Sequence, residues 1–337
     1  MKREDAKYVK FALCREMLET SEIIRAFDPD AGEPFADTVA KKNAVFMTGE
    51  GSSRIFPAKR AIYQAMQVGV ALPMLTDGAT QALEYNLADC AVFGASNSGK
   101  TKEVVRLFTK LRQEGHDACF ALVANEDTPV EDLATETHIL SCGKENAVAA
   151  TKSVAEQALF YAGLLASLAG ESLDDLDALA DMMDETLGQD LDAEVIGNIQ
   201  AADVVYFAGR NDGVAEELAL KTNEIMRKKS DFLEGTYAVH GIEEVMNDTD
   251  VVIIVDPFKD EEEKFEECLV KGVGMTVVAI APRKTRFPTI VIPEGGVYKS
   301  FVELAAGWNI LVETGIALGI DLDKPVRARK VGNEFLG

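Results

Sequence analysis

The chain has 337 residues, 47% of them hydrophobic and 27% charged, proportions of a globular protein long enough for two domains. Asp and Glu outnumber Lys and Arg by 57 to 34, a formal net charge of −23. That balance argues against a nucleic-acid partner, which needs cations to replace phosphate counterions, and against docking on anionic membranes; a small anion in a locally positive pocket stays open.

Residues 1–42 are predicted helical with mixed charge, and their start lacks the apolar core of a signal peptide. A strand is expected at 44–48, ended by Gly49-Glu50-Gly51-Ser52-Ser53, and a helix at 54–70. A second strand at 90–95 ends in Ser96-Asn97-Ser98-Gly99, followed by a helix at 101–114, strands at 118–123 and 138–141, and an apolar helix over 147–170. Lys152, Glu156 and Gln157 interrupt that last stretch, which reads as a buried helix and not a membrane span. Short apolar runs separated by helices indicate a parallel sheet buried on both faces. Residues 171–197 read as an acidic helical linker.

The pattern then restarts. A strand at 204–208, a helix at 214–228, strands at 251–255, 276–280 and 289–292 and a long helix at 298–318 precede a tail, 321–337. The run AVFMTGEGSS of the first half echoes VVYFAGRNDG of the second. Two tandem α/β domains are expected, 43–170 and 198–320, with ligands at the carboxyl ends of their strands. The five cysteines are odd in number, widely spaced and free of any CxxC, which argues against a disulfide scaffold or a zinc site and for a cytoplasmic home. His116, His138 and His240 are too scattered for a metal cage.

The most informative segment is Gly94-Ala-Ser-Asn-Ser-Gly-Lys-Thr101, between a strand and a helix. Hydroxyls of Ser96, Ser98 and Thr101, backbone N–H groups and the helix dipole would converge there, as a phosphate requires. The segment also fits G-x-x-x-x-G-K-[ST], the nucleotide loop of ATPases, and the strand 252–256, ending in Asp256, offers an acid for magnesium. Doubled serines favour a sugar phosphate, and the 155 residues between Thr101 and Asp256 weaken the ATP reading.

These segments resemble the sugar isomerase (SIS) family of phosphosugar isomerases, deaminases and deglycases, most of all the isomerase half of glucosamine-6-phosphate synthase. Gly51-Ser52-Ser53 matches the family's Gly-Thr-Ser loop. Ser96-Asn97-Ser98-Gly99-Lys100-Thr101 matches its Ser-Gln-Ser-Gly-Glu-Thr, with Lys100 in place of an acid. Val148-Ala149-Ala150-Thr151-Lys152 matches Val-Ala-Ser-Thr-Lys, with Ala150 where the family has a serine. Lys221-Thr-Asn-Glu224 and His240 match a Lys-x-x-Glu with a histidine sixteen residues after the glutamate, and Lys330 follows Pro325 by five residues as a tail lysine does in the family. The family's Gly-Glu before that histidine is replaced here by Thr236-Tyr237.

The resemblance implies two tandem SIS domains, each a mostly parallel, doubly wound, flavodoxin-like sheet flanked by helices. It implies isomerisation or deamination of a hexose 6-phosphate or amino-hexose 6-phosphate with no metal or organic cofactor. Glu224 would move the proton between C1 and C2, His240 from the neighbouring subunit of a homodimer would assist ring opening, Lys330 would sit at the carbonyl, and Lys221 would orient Glu224. Gly51, Ser52, Ser53, Ser96, Asn97, Ser98 and Thr101 would hold phosphate and sugar, with Val148, Ala150 and Arg329 as further contacts. The chain has no room for a glutaminase domain. Taken alone, Glu217, Lys221, Glu224 and Lys228 read as one solvated stripe of a helix, His240 as a turn or interface residue, and Lys330 as a surface lysine beside Arg327 and Arg329. A non-catalytic sugar-phosphate sensor is the rival from outside enzymology.

Overall fold

The computed structural model describes residues 1–327 and 334–335. Strands β1 (Ala44–Gly49), β2 (Met74–Gly78), β3 (Cys90–Ser96), β4 (Cys119–Val123) and β5 (Glu136–Ile139) form one sheet in the order β2-β1-β3-β4-β5. Strands β6 (Val204–Gly209), β7 (Lys229–Glu234), β8 (Val251–Val255), β9 (Thr276–Ala281) and β10 (Thr289–Val291) form the other, ordered β10-β9-β8-β6-β7. All pairings are parallel. Counted from its own first strand, each half has the order 2-1-3-4-5, so the chain reverses direction across the sheet between β1 and β3, and again between β6 and β8. These are the places where an open parallel sheet leaves a crevice for a ligand.

The flanking α-helices of seven residues or more are α1 (Ala12–Ala26), α2 (Glu33–Val39), α3 (Ile55–Val68), α4 (Lys102–Gln113), α5 (Lys152–Leu168), α6 (Leu176–Gly188), α7 (Ala193–Ala201), α8 (Val214–Lys221) and α9 (Lys299–Ala317). β1 is buried at every position because helices cover both faces of its sheet. One face packs Phe46 and Val92 against Val104, Leu107 and Phe108 of α4. On the other, Phe35, Phe93, Phe120 and Phe160 form an aromatic nest with ring centroids 4.9 to 6.0 Å apart. In the second half, α9 is buried along nearly its whole length. Gly307 lets it approach α8: a Cβ there would meet Leu218 Cδ2 at 2.2 Å.

The contacts divide the described chain into two units, and differently from the expected domains. Residues 1–21, 147–149 and 178–327 go with the second sheet; residues 22–146, 150–177 and 334–335 go with the first. The first residues join the second sheet's unit because Arg3 donates to Ser21 Oγ and Asp184, and the Met1 amine donates to the Leu187 carbonyl of α6. Four local expectations are also corrected. β2 and β7 fall where no strand is expected, the helix of 147–170 begins only at Lys152, the linker is two helices, and β5 lies two residues early. Among the described residues no helix is long and apolar enough to cross a membrane.

Candidate active site

β3 runs to Ser96 and α4 starts at Lys102, so the phosphate-type loop is only residues 97–101. Its carbonyls are turned back into the fold. That of Asn97 accepts from Ala124 N (3.1 Å) and Asn125 Nδ2 (2.8 Å), and that of Gly99 from Val130 N (3.1 Å). Ser96 Oγ and Thr101 Oγ1 are 2.7 Å apart, while Ser98 Oγ accepts from Lys100 N at 3.2 Å. Gly99 has φ +65°, and a Cβ on it would lie 2.3 Å from Thr128 Oγ1. With the unbonded N–H groups of the first turn of α4, the loop has the chemistry of an anion site. The tail meets it: Thr101 bridges Glu334, and Phe335 N donates to the Lys100 carbonyl at 2.8 Å.

The same geometry removes the nucleotide-loop reading. Gly94, the motif's first glycine, is not in a loop but inside β3, in register with Thr48 and Ala121. A Cβ there would meet the Phe108 ring at 2.6 Å, so this glycine serves helix-on-sheet packing. The acid offered for magnesium belongs to the other sheet, and Asp256 is already paired with Lys299 (2.6 Å) and Arg210 (2.9 Å).

After β1, Gly51–Ser53 forms a single 3-10 turn with Ser52 buried and Ser53 half-buried. Glu50, unremarked in the sequence, accepts from Ala79 N at 3.1 Å, and burial with the nearby charge of Glu103 pushes its carboxyl up. The segment ahead of α5 is irregular, held by buried carboxylates. Glu145 accepts from Thr151 N (2.7 Å) and Ser153 Oγ (2.5 Å), Glu16 from Ala147 N (3.2 Å), and Glu156 from Ser141 N and Cys142 N (2.6 and 2.8 Å). Val148 and Ala150 therefore sit on a fixed loop, not on a helix. Nothing in the sequence distinguishes Glu16 and Glu145 from solvated glutamates, whereas Glu156 lies in the stretch read as a buried helix.

α8 continues into a π-helical turn, Thr222–Met226, and ends at Arg227 with φ +54°. Such turns are rare overall and frequent at functional sites. Here Glu224 lies within one. Lys221 Nζ donates to Glu224 Oε2 at 2.8 Å and lies 3.4 Å from Glu217 Oε1. The stripe is thus not a solvated face: Glu217 and Lys221 side chains are 0% exposed, and Glu224 at 27% opens outward. It opens into a cavity of about 630 Å³ whose lining includes Val148, Asn223, Arg227, Lys228, Lys229 and residues 325–327. Arg227 ties the last of these in place, donating to the carbonyls of Asp321 (2.9 Å) and Lys324. Lys228 donates to the Ala202 carbonyl, and burial holds its amine below the usual lysine range despite Asp203.

Glu224 and Val148 are thus brought together at one cavity, with Lys221 buried behind Glu224. Gly51, Ser52, Ser53, Ser96, Asn97, Ser98 and Thr101 gather at the carboxyl ends of β1 and β3. His240 is not with Glu224: it ends the 3-10 turn Tyr237–Val239, is exposed, and has Nε2 3.3 Å from Lys264 Nζ. Arg329 and Lys330 lie outside the described residues. Among the described residues no group of three or more His, Cys, Asp or Glu is arranged to hold a metal ion.

No family model matches the chain, and no curated protein matches it. Solved structures do. The C-terminal domain of glucosamine-fructose-6-phosphate aminotransferase from Francisella tularensis superposes with a TM-score of 0.78 at 16% identity, over 95% of this chain and 100% of that one. Tagatose-6-phosphate ketose/aldose isomerase from Escherichia coli gives 0.78 at 18%, over 96% and 98%. Glucosamine-6-phosphate deaminase from Thermotoga maritima gives 0.72 at 19%, over 95% and 98%. With two parallel five-stranded sheets flanked by helices and superposition along almost the whole length, the chain has the fold of the SIS-domain phosphosugar isomerases.

Proposed function

We propose that this protein is a cytoplasmic phosphosugar isomerase or deaminase, built of two tandem SIS domains, that acts at C1–C2 of a hexose 6-phosphate or amino-hexose 6-phosphate. The observation that carries the reading is Glu224, held by a fully buried lysine and opening on a cavity. A base that moves a carbon-bound proton must be fixed within reach of two adjacent carbons, and Lys221 supplies that fixity.

Glu224 takes the proton from the carbon next to the carbonyl, leaving an enediol, and returns it to the neighbouring carbon. One hydroxyl proton moves in the same direction between the two oxygens, so one carbon is reduced as its neighbour is oxidised and isomerisation needs no external oxidant. With an amine at C2 the same shift gives a ketimine; one water then adds at C2 and ammonia leaves. Ser96, Ser98 and Thr101, with Asn97 and the Gly51–Ser53 turn, grip the phosphate. His240, contributed across a homodimer, assists ring opening, and Lys330 serves the carbonyl. The mechanism uses no metal or organic cofactor.

The test is solvent exchange. In D2O, fructose 6-phosphate, glucose 6-phosphate and glucosamine 6-phosphate are followed by NMR for deuterium at C1 and C2. Exchange or turnover with at least one is expected, and Glu224→Gln is expected to slow it by about 10²–10⁴-fold. Binding of a sugar phosphate with no exchange would make the protein a sensor instead. No binding of any of them would end the sugar-phosphate reading.

A further inference from the structure

His240 sits where two short elements meet. Ala238 and Val239, just before it, and Phe265, just after Lys264, are buried in the same apolar cluster of the second half. That shared burial anchors the backbone on both sides, with His240 exposed at the end of its 3-10 turn and Lys264 half-buried in the helical turn Glu262–Phe265. Across 24 residues of chain the two side chains meet, with Lys264 Nζ 3.3 Å from His240 Nε2. A lysine ammonium has three N–H donors and no lone pair, so Nζ donates and Nε2 accepts. An imidazole that accepts at Nε2 is neutral and carries its proton on Nδ1. Thr236 and Tyr237 replace the family's Gly-Glu ahead of the histidine, so those two positions bring no carboxylate to the ring. Glu243, three residues on, accepts from Gly241 N at 2.6 Å.

We propose that Lys264 is a positioning residue for His240: it holds the imidazole as the neutral Nδ1–H tautomer, so that the nitrogen left free for a ligand is a hydrogen-bond donor. The inference rests on the function proposed above, in which His240 assists opening of the sugar ring. A doubly protonated imidazolium donates from either nitrogen. This ring donates from Nδ1 alone, to an oxygen of the closing bond, and needs no added proton to do so. Lys264 acts through the imidazole, because an ammonium on Nε2 polarises the ring and strengthens the Nδ1–H donor. His116 is the internal contrast. Its Nε2 lies 2.9 Å from the Leu87 carbonyl, which can only accept, and Ala118 N donates to its Nδ1 at 3.2 Å, so it carries the opposite tautomer.

Proton–nitrogen correlation spectra of the full chain, labelled with nitrogen-15 at histidine, read the tautomers directly at about pH 8, above the ordinary histidine range. The chain has 3 histidines, and the signal lost in His240→Asn assigns this one. His240 is expected to show a protonated Nδ1 and an accepting Nε2, opposite to His116. Lys264→Met should return it to the mixed tautomers of a free imidazole, and Lys264→Arg should keep the Nδ1–H form. Deuterium exchange reads the consequence. With whichever of fructose 6-phosphate, glucose 6-phosphate and glucosamine 6-phosphate exchanges in the wild type, Lys264→Met should slow exchange about tenfold or more, and Lys264→Arg should bring it back to within about threefold. The 4,5-dideoxy analogue of that sugar has no hydroxyl placed to close a ring, and with it Lys264→Met should stay within about twofold of wild type. An Nε2–H form or a mixture at His240 in the wild type would overturn the proposal, as would a tautomer unchanged in Lys264→Met. So would exchange of the ring-forming sugar unchanged in that variant, or equal slowing of both sugars, the sign of a merely structural loss. No exchange with any sugar phosphate in the wild type would end the isomerase reading and the role in ring opening with it, whereas the tautomer is decided by the spectra alone.

Discussion

Lys221 is a buried ammonium with two carboxylates, and its surroundings decide what its removal does. Glu217 is as buried as Lys221, and Glu224 is half-open to the cavity. Taking one partner from a buried ionic group leaves the other uncompensated, at a typical cost of about 3–5 kcal/mol. Lys221→Met is therefore expected to lower the unfolding free energy in urea by about 3 kcal/mol or more. Glu224→Gln keeps shape and one acceptor at a partly exposed site, and its stability should stay within about 1 kcal/mol of wild type. Equal stability of Lys221→Met and wild type would mean that the amine is solvated and not the fixed partner of Glu224. The spacing i, i+4, i+7 is the same for a solvated stripe and for this triad. α9 lies close on α8, with Gly307 against Leu218, the neighbour of Glu217 in sequence, a pairing 89 residues apart that no local pattern reveals.

At the scale of elements, two glycines of one motif have different duties. Gly99 needs both a positive φ and the absence of a Cβ against Thr128, whose hydroxyl caps the helical turn Pro129–Leu133. Gly99→Ala should cost about 1–3 kcal/mol and also lower affinity for every sugar phosphate, because the loop's N–H groups turn with it. Lys100 is exposed, so Lys100→Ala should change stability by no more than about 0.5 kcal/mol and leave sugar-phosphate affinity within about twofold. Thermal melts and calorimetry separate the two; a loss on Lys100→Ala larger than on Gly99→Ala would restore the nucleotide-loop view. The hydroxyl loop was legible because its parts are adjacent in sequence. So were the strands that are apolar throughout, β1, β3, β4, β6, β8 and β9. β2 and β7 were not, because each is an edge strand paired on one side only, and their sequences MLTDG and KSDFLE carry no apolar run. Residues 147–151 read as helix on composition, whereas the buried Glu145 captures the N–H and hydroxyl groups at Thr151 and Ser153 and fixes the start of α5. The Glu224 cavity was illegible for a further reason: its walls come from Val148, residues 223–229 and residues 325–327, three separate stretches of chain.

At the scale of the whole molecule, the carboxylate excess bears directly on folding in a cluster of the second half. At the carboxyl ends of β6 and β8, Asp212, Asp256 and Glu303 share a cluster with Arg210 and Lys299. Glu303 is 1% exposed, and burial, reinforced by Asp212, pushes its carboxyl up to about 8; Lys299 and Arg210 oppose the rise, and Asp256 adds to it. Asp212 is raised as well, chiefly by burial. A raised carboxyl means that the folded chain holds a proton which the unfolded chain has released above about pH 4.5. The unfolded state then binds fewer protons, so stability falls as pH rises from about 4.5 to about 8, by at most about 1.4 kcal/mol per pH unit through this group, and levels off above. Other carboxylates titrate in the same range, which makes the comparison with Glu303→Gln the informative one, since the amide is permanently neutral in the same shape. Urea unfolding at pH 5.5, 6.5, 7.5 and 8.5 should show the variant gaining on wild type at each step up to about pH 8 and keeping a constant lead beyond it. A lead that is flat from pH 5.5 upward would mean that Glu303 is ionised in the folded protein, with Lys299 and Arg210 outweighing burial, and that the cluster is a conventional ion-pair network.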